Sequence, residues 1–165
     1  MMLGKTANGL FWMARYIERA ANTARLVETG QRMALLRTGE AEAEWRGVAE
    51  AAGAAEDLAE RHDGAFTADR VIDYLLRDPS NPSSALQSIE NARTNARLVR
   101  TAITREVWEA VNEMFLAMRA TLAAPVDERD LPEVLDRLRR HGALIRGMMV
   151  GTMLRNAIYD FMELA

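Results

Sequence analysis

Charged and amide side chains stand at helical spacing among large apolar residues in the segment 10–25. At about 100° per residue, Glu18, Asn22 and Arg25 share one strip bordering the apolar face, whereas Arg19 lies farther round the helix. An unpaired charge at a partly buried position is costly, so Glu18 requires a cationic partner. Two interpretations remain open: an interior polar network that fixes helix register, or a site for a ligand or partner. The candidate binding strip consists of Arg15, Glu18, Arg19, Asn22 and Arg25.

The segment 78–84, Asp-Pro-Ser-Asn-Pro-Ser-Ser, is a second place where the residue types could bind a ligand. Turn chemistry and helix capping account for its composition, because Ser84 and Gln87 have capping-box spacing. The alternative is anion binding, since free amides at the next helix start and serine hydroxyls can hold a phosphate or carboxylate. An arginine stripe on that helix is either a solvated face or part of the same site. The candidate anion site comprises Asp78, Asn81, Ser83, Ser84, Arg93 and Arg97.

A faint internal repeat relates the segments 18–27 and 90–99, which match at Glu, two Ala, Arg, Leu and Val. Two alanine-rich amphipathic helices can resemble each other by chance. If the two helices instead pack in related environments, Glu18 faces Arg97 while Glu90 faces Arg25. That arrangement would form two reciprocal ion bridges in the interior of the protein.

The sequence contains no recognisable arrangement of catalytic residues. Cysteine is absent, and the sequence has no nucleophile-and-base set and no glycine-rich phosphate loop. A di-iron bundle requires Glu-x-x-His, but the residues three positions before His62 and His141 are Ala59 and Leu138. We therefore predict no catalytic residues, no metal site and no cofactor. A non-enzymatic role is favoured, and enzymatic activity is left open.

Charge and hydropathy restrict the partners and the location. Lys and Arg total 21 against 24 Asp and Glu, and the net charge of −3 argues against nucleic-acid binding. The N-terminal residues lack the apolar run of a signal peptide. The apolar stretch 143–154 is interrupted by Arg146 and is shorter than the roughly 20 residues of a membrane-spanning helix. The sequence predicts a cytoplasmic protein that binds neither nucleic acid nor a membrane.

Apolar residues recur at intervals of three and four along the chain, and no segment alternates with the period of a strand. Prolines, glycines and capping residues divide this pattern into helices over 10–36, 41–62, 67–78, 84–102, 104–124 and 130–144, the first stopping at Thr38-Gly39. Three tryptophans, Trp12, Trp45 and Trp108, are expected to anchor the core. The predicted fold is all-α, an antiparallel helical bundle of about six to seven helices.

The segment 158–165, Ile-Tyr-Asp-Phe-Met-Glu-Leu-Ala, is apolar and helical in character. It has neither a capping glycine nor a basic last turn, so we expect the single domain 1–165 to end within a helix. Apolar surface without a partner at that end favours self-association.

Three segments, in the right order, resemble the bacterial alpha-E family. They are Phe11-Trp-Met-Ala-Arg-Tyr-Ile-Glu-Arg-Ala-Ala-Asn-Thr-Ala-Arg25, Leu76-Arg-Asp-Pro-Ser-Asn-Pro-Ser-Ser84 with the Asn-Ala-Arg helix after it, and Glu106-Val-Trp-Glu-Ala-Val-Asn112. The resemblance implies a helical domain with a Glu-Arg motif and no established activity. It further implies occurrence beside, or fused to, circularly permuted ATP-grasp-like ligases and transglutaminase-like proteins, in systems associated with making or modifying peptides. By this resemblance the chain corresponds to the N-terminal half of the usual family length.

These observations favour a non-catalytic interaction or accessory module of an ATP-grasp-type system for peptide synthesis or modification. An ATP-grasp-like ligase or a transglutaminase-like protein is the partner that the resemblance implies. The alternative is a domain, enzymatic or not, that binds a small molecule or an acidic peptide through the Glu18/Arg25 strip and the helix start at Ser83 and Ser84. A third hypothesis is a scaffold whose Glu/Arg pairs only set packing.

Overall fold

The computed structural model describes residues 2–37 and 39–165, and within them the chain forms eight helices and no strand. The all-α prediction is confirmed. None of the described helices is both long and apolar enough to cross a membrane. The helices are α1 (Met2–Leu36), α2 (Ala41–Ala51), α3 (Ala55–Arg61), α4 (Ala68–Leu76), α5 (Ala85–Leu98), α6 (Arg105–Thr121), α7 (Leu131–Thr152) and α8 (Ala157–Glu163).

Some predicted helix boundaries differ from those of the structure. The first helix begins at Met2, well before the predicted start at Leu10. The predicted helix over 41–62 is two helices, because Gly53 between them has a φ of +67°, a left-handed backbone that favours glycine. Of the predicted stop after α1, Thr38 lies outside the described residues, and Gly39 has a φ of +107°.

The four longest helices, α1, α5, α6 and α7, form an antiparallel bundle in which each packs on the next and α7 returns to α1. Thr104, just before α6, hydrogen-bonds Thr152 at the end of α7, with 2.7 Å between the hydroxyl oxygens. At the opposite end of the same pair, Arg137 Nη1 donates to Thr121 Oγ1 at 3.2 Å. Buried apolar side chains fill the space between the helices.

The most extensive helix contact joins α1 to α5. Gly9 on α1 lies so close to Val99 that a Cβ at position 9 would overlap the Val99 side chain. Because the helices run antiparallel, this contact sets a register that places Glu18 at the level of Glu90. Buried alanines on the two helices allow the close approach: Ala20, Ala24, Ala92 and Ala96.

The three short helices α2, α3 and α4 form a smaller layer beside α1 and the start of α5. α2 lies against α1, where Gly30 faces Trp45 and Val48. Trp45 and Phe66 are buried within this layer. The turn between α2 and α3 and the loop between α4 and α5 are thereby placed on one side of α1.

The last helix, α8, folds back onto α1. Asn156 Oδ1 accepts hydrogen bonds from the first amides of α8, at 3.0 Å each, and so caps it. Tyr159 and Met162 are buried, whereas Phe161 and Leu164 are exposed. The expectation that this segment mediates self-association stays a prediction.

The tryptophan prediction holds for only part of the set. Trp45 is buried and Trp108 is half-buried against the core. Trp12 is 37% exposed, so its assignment to the core is wrong. Its ring centroid lies 5.5 Å from that of Phe11 and 5.6 Å from that of Tyr16, in a surface cluster of aromatic rings.

Candidate functional site

Glu18 belongs to an ion-pair cluster that links α1 to α7. Its side chain is 30% exposed; Oε1 accepts from Arg25 Nη1 at 3.1 Å, and Oε2 accepts from Arg146 Nη2. Arg25 also donates to Asn22 Oδ1, three residues earlier in the same helix. Glu18 is therefore ion-paired with two arginines, one on its own helix and one on α7.

The reciprocal pairs predicted from the internal repeat are not formed. Glu18 bonds Arg25 and Arg146 rather than Arg97, and neither Glu90 nor Arg97 takes part in an ion pair among the described residues. The antiparallel register explains this result. Glu18 lies at the level of Glu90, so Arg97 is displaced along α5 by about 10 Å from the position that the prediction required.

A cleft opens on the other side of the Glu-Arg pair. It has a volume of about 440 Å³ and lies between α1, the turn joining α2 to α3, α4 and the loop joining α4 to α5. Arg15, Arg19 and Asn22 of the predicted binding strip line it, together with Asn81 and Ser83 of the predicted anion site. The fold thus brings parts of the two predicted sites into one cavity.

The two arginines of the cleft have no acidic partner. Neither Arg15 nor Arg19 forms an ion pair with an Asp or Glu side chain in the described part of the chain. Arg15 Nη1 donates to the backbone oxygen of Ala165 at 3.4 Å, and the Arg19 guanidinium lies 5.5 Å from the centroid of the Tyr16 ring. Two guanidinium groups therefore border the cavity without a salt bridge to an Asp or Glu side chain of the described residues.

The loop at 78–84 forms a rigid wall of this cleft through Asn81. This side chain is 5% exposed; Nδ2 donates to the Tyr74 carbonyl at 2.9 Å, and Oδ1 accepts from the Ser83 amide at 2.9 Å. A buried amide satisfied on both sides holds the loop in one conformation. The Ser83 side chain remains exposed and lines the cavity.

Asp78 holds the start of the same loop. Its Oδ1 accepts from both the amide and the hydroxyl of Ser80, at 2.8 and 2.5 Å, and its Oδ2 lies 3.9 Å from Arg61 Nη1. Burial raises the pKa of Asp78, but the two Ser80 hydrogen bonds and the Arg61 charge outweigh it and lower the pKa below its usual value. Asp78 is therefore a loop-stabilising carboxylate rather than a ligand group of the cleft.

The remaining members of the predicted anion site lie elsewhere. Ser84 is buried, and its hydroxyl accepts from the Gln87 amide at 3.3 Å, which is the capping role. Arg93 Nε donates to Asn112 Oδ1 at 2.8 Å on α6, and its guanidinium lies over the Phe115 ring. Arg97 is exposed and does not line the cleft. Arg93 and Arg97 therefore do not line the cleft that contains Asn81 and Ser83.

Sequence reasoning missed the side of the cleft opposite α1. Asp57 on α3 and Tyr74 on α4 line it, and the Tyr74 hydroxyl donates to Asp57 Oδ2 at 2.9 Å. Burial, with this hydrogen bond and the Asp57 charge, raises the pKa of Tyr74 to about 12. No local motif marks these residues, because the contact depends on how α3 and α4 pack.

The described residues contain no group of three or more His, Asp or Glu side chains that could hold a metal ion. Within the cleft the hydrogen-bonding groups are guanidinium, amide, hydroxyl and one carboxylate. That combination suits recognition of a charged organic group.

Comparisons with known proteins connect this cleft-bearing bundle to uncharacterized relatives. No solved structure matches the chain. In an alignment of 120 positions, which covers 63% of this chain, the sequence is 33% identical to an uncharacterized protein of Mycobacterium bovis and to one of Mycobacterium tuberculosis. An uncharacterized protein from another strain of M. tuberculosis is 32% identical over the same length. The alignment covers only 13% of each of these relatives.

A family model matches residues 2–165 and so accounts for nearly the whole chain. That family, Alpha-E, is described as a predicted alpha-helical domain with a conserved ER motif. The all-α bundle, with Glu18-Arg19 at the junction of the ion-pair cluster and the cleft, agrees with this description. The chain belongs to the Alpha-E family.

Proposed function

We propose that this domain is a non-catalytic accessory module that holds a carboxylate group of a small ligand or peptide beside Arg15 and Arg19. The observation that carries the proposal is the pair of arginines without an acidic partner on the wall of a cleft of about 440 Å³. Pockets that bind small ligands usually enclose about 300–1,000 Å³, so the size is suitable.

The donor set favours a carboxylate. A guanidinium presents parallel N–H donors whose spacing matches the two oxygens of a carboxylate or phosphate. The exposed hydroxyl of Ser83 supplies a further donor on the opposite loop. An anionic group bound here would gain charge-assisted hydrogen bonds from guanidinium groups that no Asp or Glu side chain of the described residues engages.

The non-catalytic part of the proposal is supported by the chemistry of the lining. Tyr74, with its pKa raised to about 12, remains protonated near neutral pH and is a poor general base. The Ser83 hydroxyl forms no hydrogen bond with a described histidine or carboxylate that could activate it as a nucleophile. Binding is the role that these groups suit best.

The accessory role is supported by the relatives. In each of them the matched segment is 13% of the whole chain, so the similar segment there is one part of a much longer protein. A peptide-synthesis or peptide-modification system of the ATP-grasp type, with an ATP-grasp-like ligase or a transglutaminase-like protein as partner, is the setting that we propose for the domain. In such a system a bound carboxylate would be presented to the partner.

Calorimetric titration with trialanine tests the proposal. We expect the tripeptide to bind the wild-type protein and its C-terminal amide to bind at least tenfold more weakly, since amidation removes the charge. Arg19→Gln should lower the affinity for trialanine by about tenfold or more, because a charge-assisted hydrogen bond is worth roughly 1.5–3 kcal/mol. Arg32→Gln is the matched control, since Arg32 is an exposed arginine of the same helix outside the cleft. Equal affinity of trialanine and its amide would contradict the proposal.

A further inference from the structure

The wall of the cleft opposite the arginines carries a negative charge that the protein leaves unpaired. Asp57 lines the cavity and is exposed, and no Lys or Arg among the described residues forms an ion pair with it. Arg61, on the same helix, lies instead 3.9 Å from Asp78 Oδ2 and over the ring of Tyr74. The cleft therefore has a cationic side and an anionic side, and each lacks a bonded counter-charge.

Tyr74 holds the Asp57 carboxylate in place. Its hydroxyl donates to Oδ2 at 2.9 Å, and burial, together with this hydrogen bond, raises the pKa of Tyr74 to about 12. Oδ1 of Asp57 accepts no hydrogen bond from the described residues. One carboxylate oxygen is thus fixed by the protein, and the other is available to a donor in the cleft.

The turn between α2 and α3 contributes only small residues to the cleft. Residues 51–54 are Ala-Ala-Gly-Ala, and all four line the cavity. A Cβ added to Gly53 would meet nothing within 4 Å. Arg15 and Arg19 form no ion pair with Asp57, and the small side chains of this turn leave room for a ligand in the cavity.

We infer that the cleft binds a zwitterion, with a carboxylate at Arg15 and Arg19 and a primary ammonium at Asp57. This inference rests on the proposed function and specifies its ligand as an amino acid or a short peptide with both termini free. An ammonium supplies three donors and a positive charge, which match the free oxygen and the charge of Asp57. A polyanion such as inorganic phosphate would satisfy the arginines but would be repelled by the carboxylate.

The test compares trialanine with N-acetyl-trialanine, which keeps the carboxylate and loses the ammonium. By calorimetry we expect acetylation to weaken binding to the wild-type protein about tenfold or more, as for loss of a charge-assisted hydrogen bond. Asp57→Asn should weaken binding of free trialanine by a similar factor and abolish the difference between the two peptides. Asn retains an oxygen that accepts from Tyr74, so an unchanged melting temperature is expected. Glu60→Gln is the matched control, because Glu60 is an exposed acid of α3 outside the cleft.

Two outcomes would overturn the inference while leaving the carboxylate site intact. Equal binding of the free and acetylated peptides to the wild-type protein would show that no ammonium is recognised. A preference for the free peptide that persists in Asp57→Asn would show that the ammonium lies elsewhere. If the wild-type protein binds neither peptide, the proposed function itself fails. The acetylated peptide needs no variant, so the test does not depend on the folding of Asp57→Asn.

Discussion

Glu18 and Arg19 are adjacent in sequence, but the Glu18 carboxylate is ion-paired whereas the Arg19 guanidinium lines a cleft. Glu18 is bonded by Arg25 and by Arg146, which links two long helices of the bundle. Arg19 lines a cleft and is bonded by no carboxylate of the described residues. Because successive residues of a helix point about 100° apart, one dipeptide can serve the packing of the bundle on one side and a cavity on the other.

The comparison shows which charges are devoted to the fold and which are left for a ligand. An ion pair that joins helices lowers the free energy of the folded state, whereas an uncompensated arginine contributes nothing comparable to it. An arginine that also lines a cavity is in a position to contact a ligand. We therefore expect substitutions on the Glu18 side to change stability, and substitutions of cleft arginines to change binding.

The largest stability effect is expected on the cleft side, from its rigid wall rather than from its charges. Asn81→Ala removes a buried amide that bonds the Tyr74 carbonyl and the Ser83 amide, and leaves those two backbone groups without that partner. The expected loss is about 2–3 kcal/mol in the free energy of unfolding, measured by urea denaturation. Asn8→Ala, an exposed position on α1, should cause no comparable loss. A loss no larger than that of the control would mean that the wall is not held by Asn81.

A smaller effect is expected on the other side, from Glu18→Gln. Its two arginine partners are about half exposed, so solvent screens the pairs, and the expected loss is about 1 kcal/mol. Urea denaturation of Glu18→Gln, Arg146→Gln and the double variant gives the coupling energy between the two residues. Molar salt should reduce it.

The peptide affinity of Glu18→Gln tests whether Glu18 belongs to the ion-pair cluster or to the ligand site. Glu18 does not line the cleft, so Glu18→Gln should keep the trialanine affinity of the wild-type protein. Unchanged stability with lost peptide binding would assign Glu18 to the ligand site and would leave the ion-pair cluster without a structural role.

Local features of the fold could be predicted from the sequence because local spacing decides them. Thr104 and Ser84 were predicted as helix starts, and the hydroxyl of each accepts the amide three residues later, at 3.3 Å. Asp130 shows the limit of such signals. It has capping-box spacing to Glu133 and precedes α7, but its side chain makes no capping hydrogen bond.

Contacts between helices were not accessible in the same way. Arg146 is 128 residues from Glu18, and their pairing depends on which helices are neighbours and on their register. The repeat correctly drew attention to α1 and α5, which do pack together, but side-chain pairing required the antiparallel register. Asp57 could not be predicted for a similar reason, because only the packing of α3 and α4 brings it to the cleft.

The smallest expected effect is a pH dependence of stability that comes from His141 on α7, the helix that also supplies Arg146. Burial lowers the pKa of His141 on this helix below its ordinary value of 6.5; nearby Arg137 lowers it further, and Glu113 opposes the shift. Below that ordinary value the unfolded chain binds the proton first, so stability should fall as the pH drops from about 7.5 through the ordinary pKa and should level off below the folded pKa. His141→Gln should flatten this part of the curve of urea midpoint against pH. Glu18→Gln should lower the whole curve without changing its slope there, because His141 takes no part in the ion pairs of Glu18. If Glu18→Gln abolished the slope instead, the pH response would come from the ion-pair cluster of Glu18, and its assignment to His141 would be wrong.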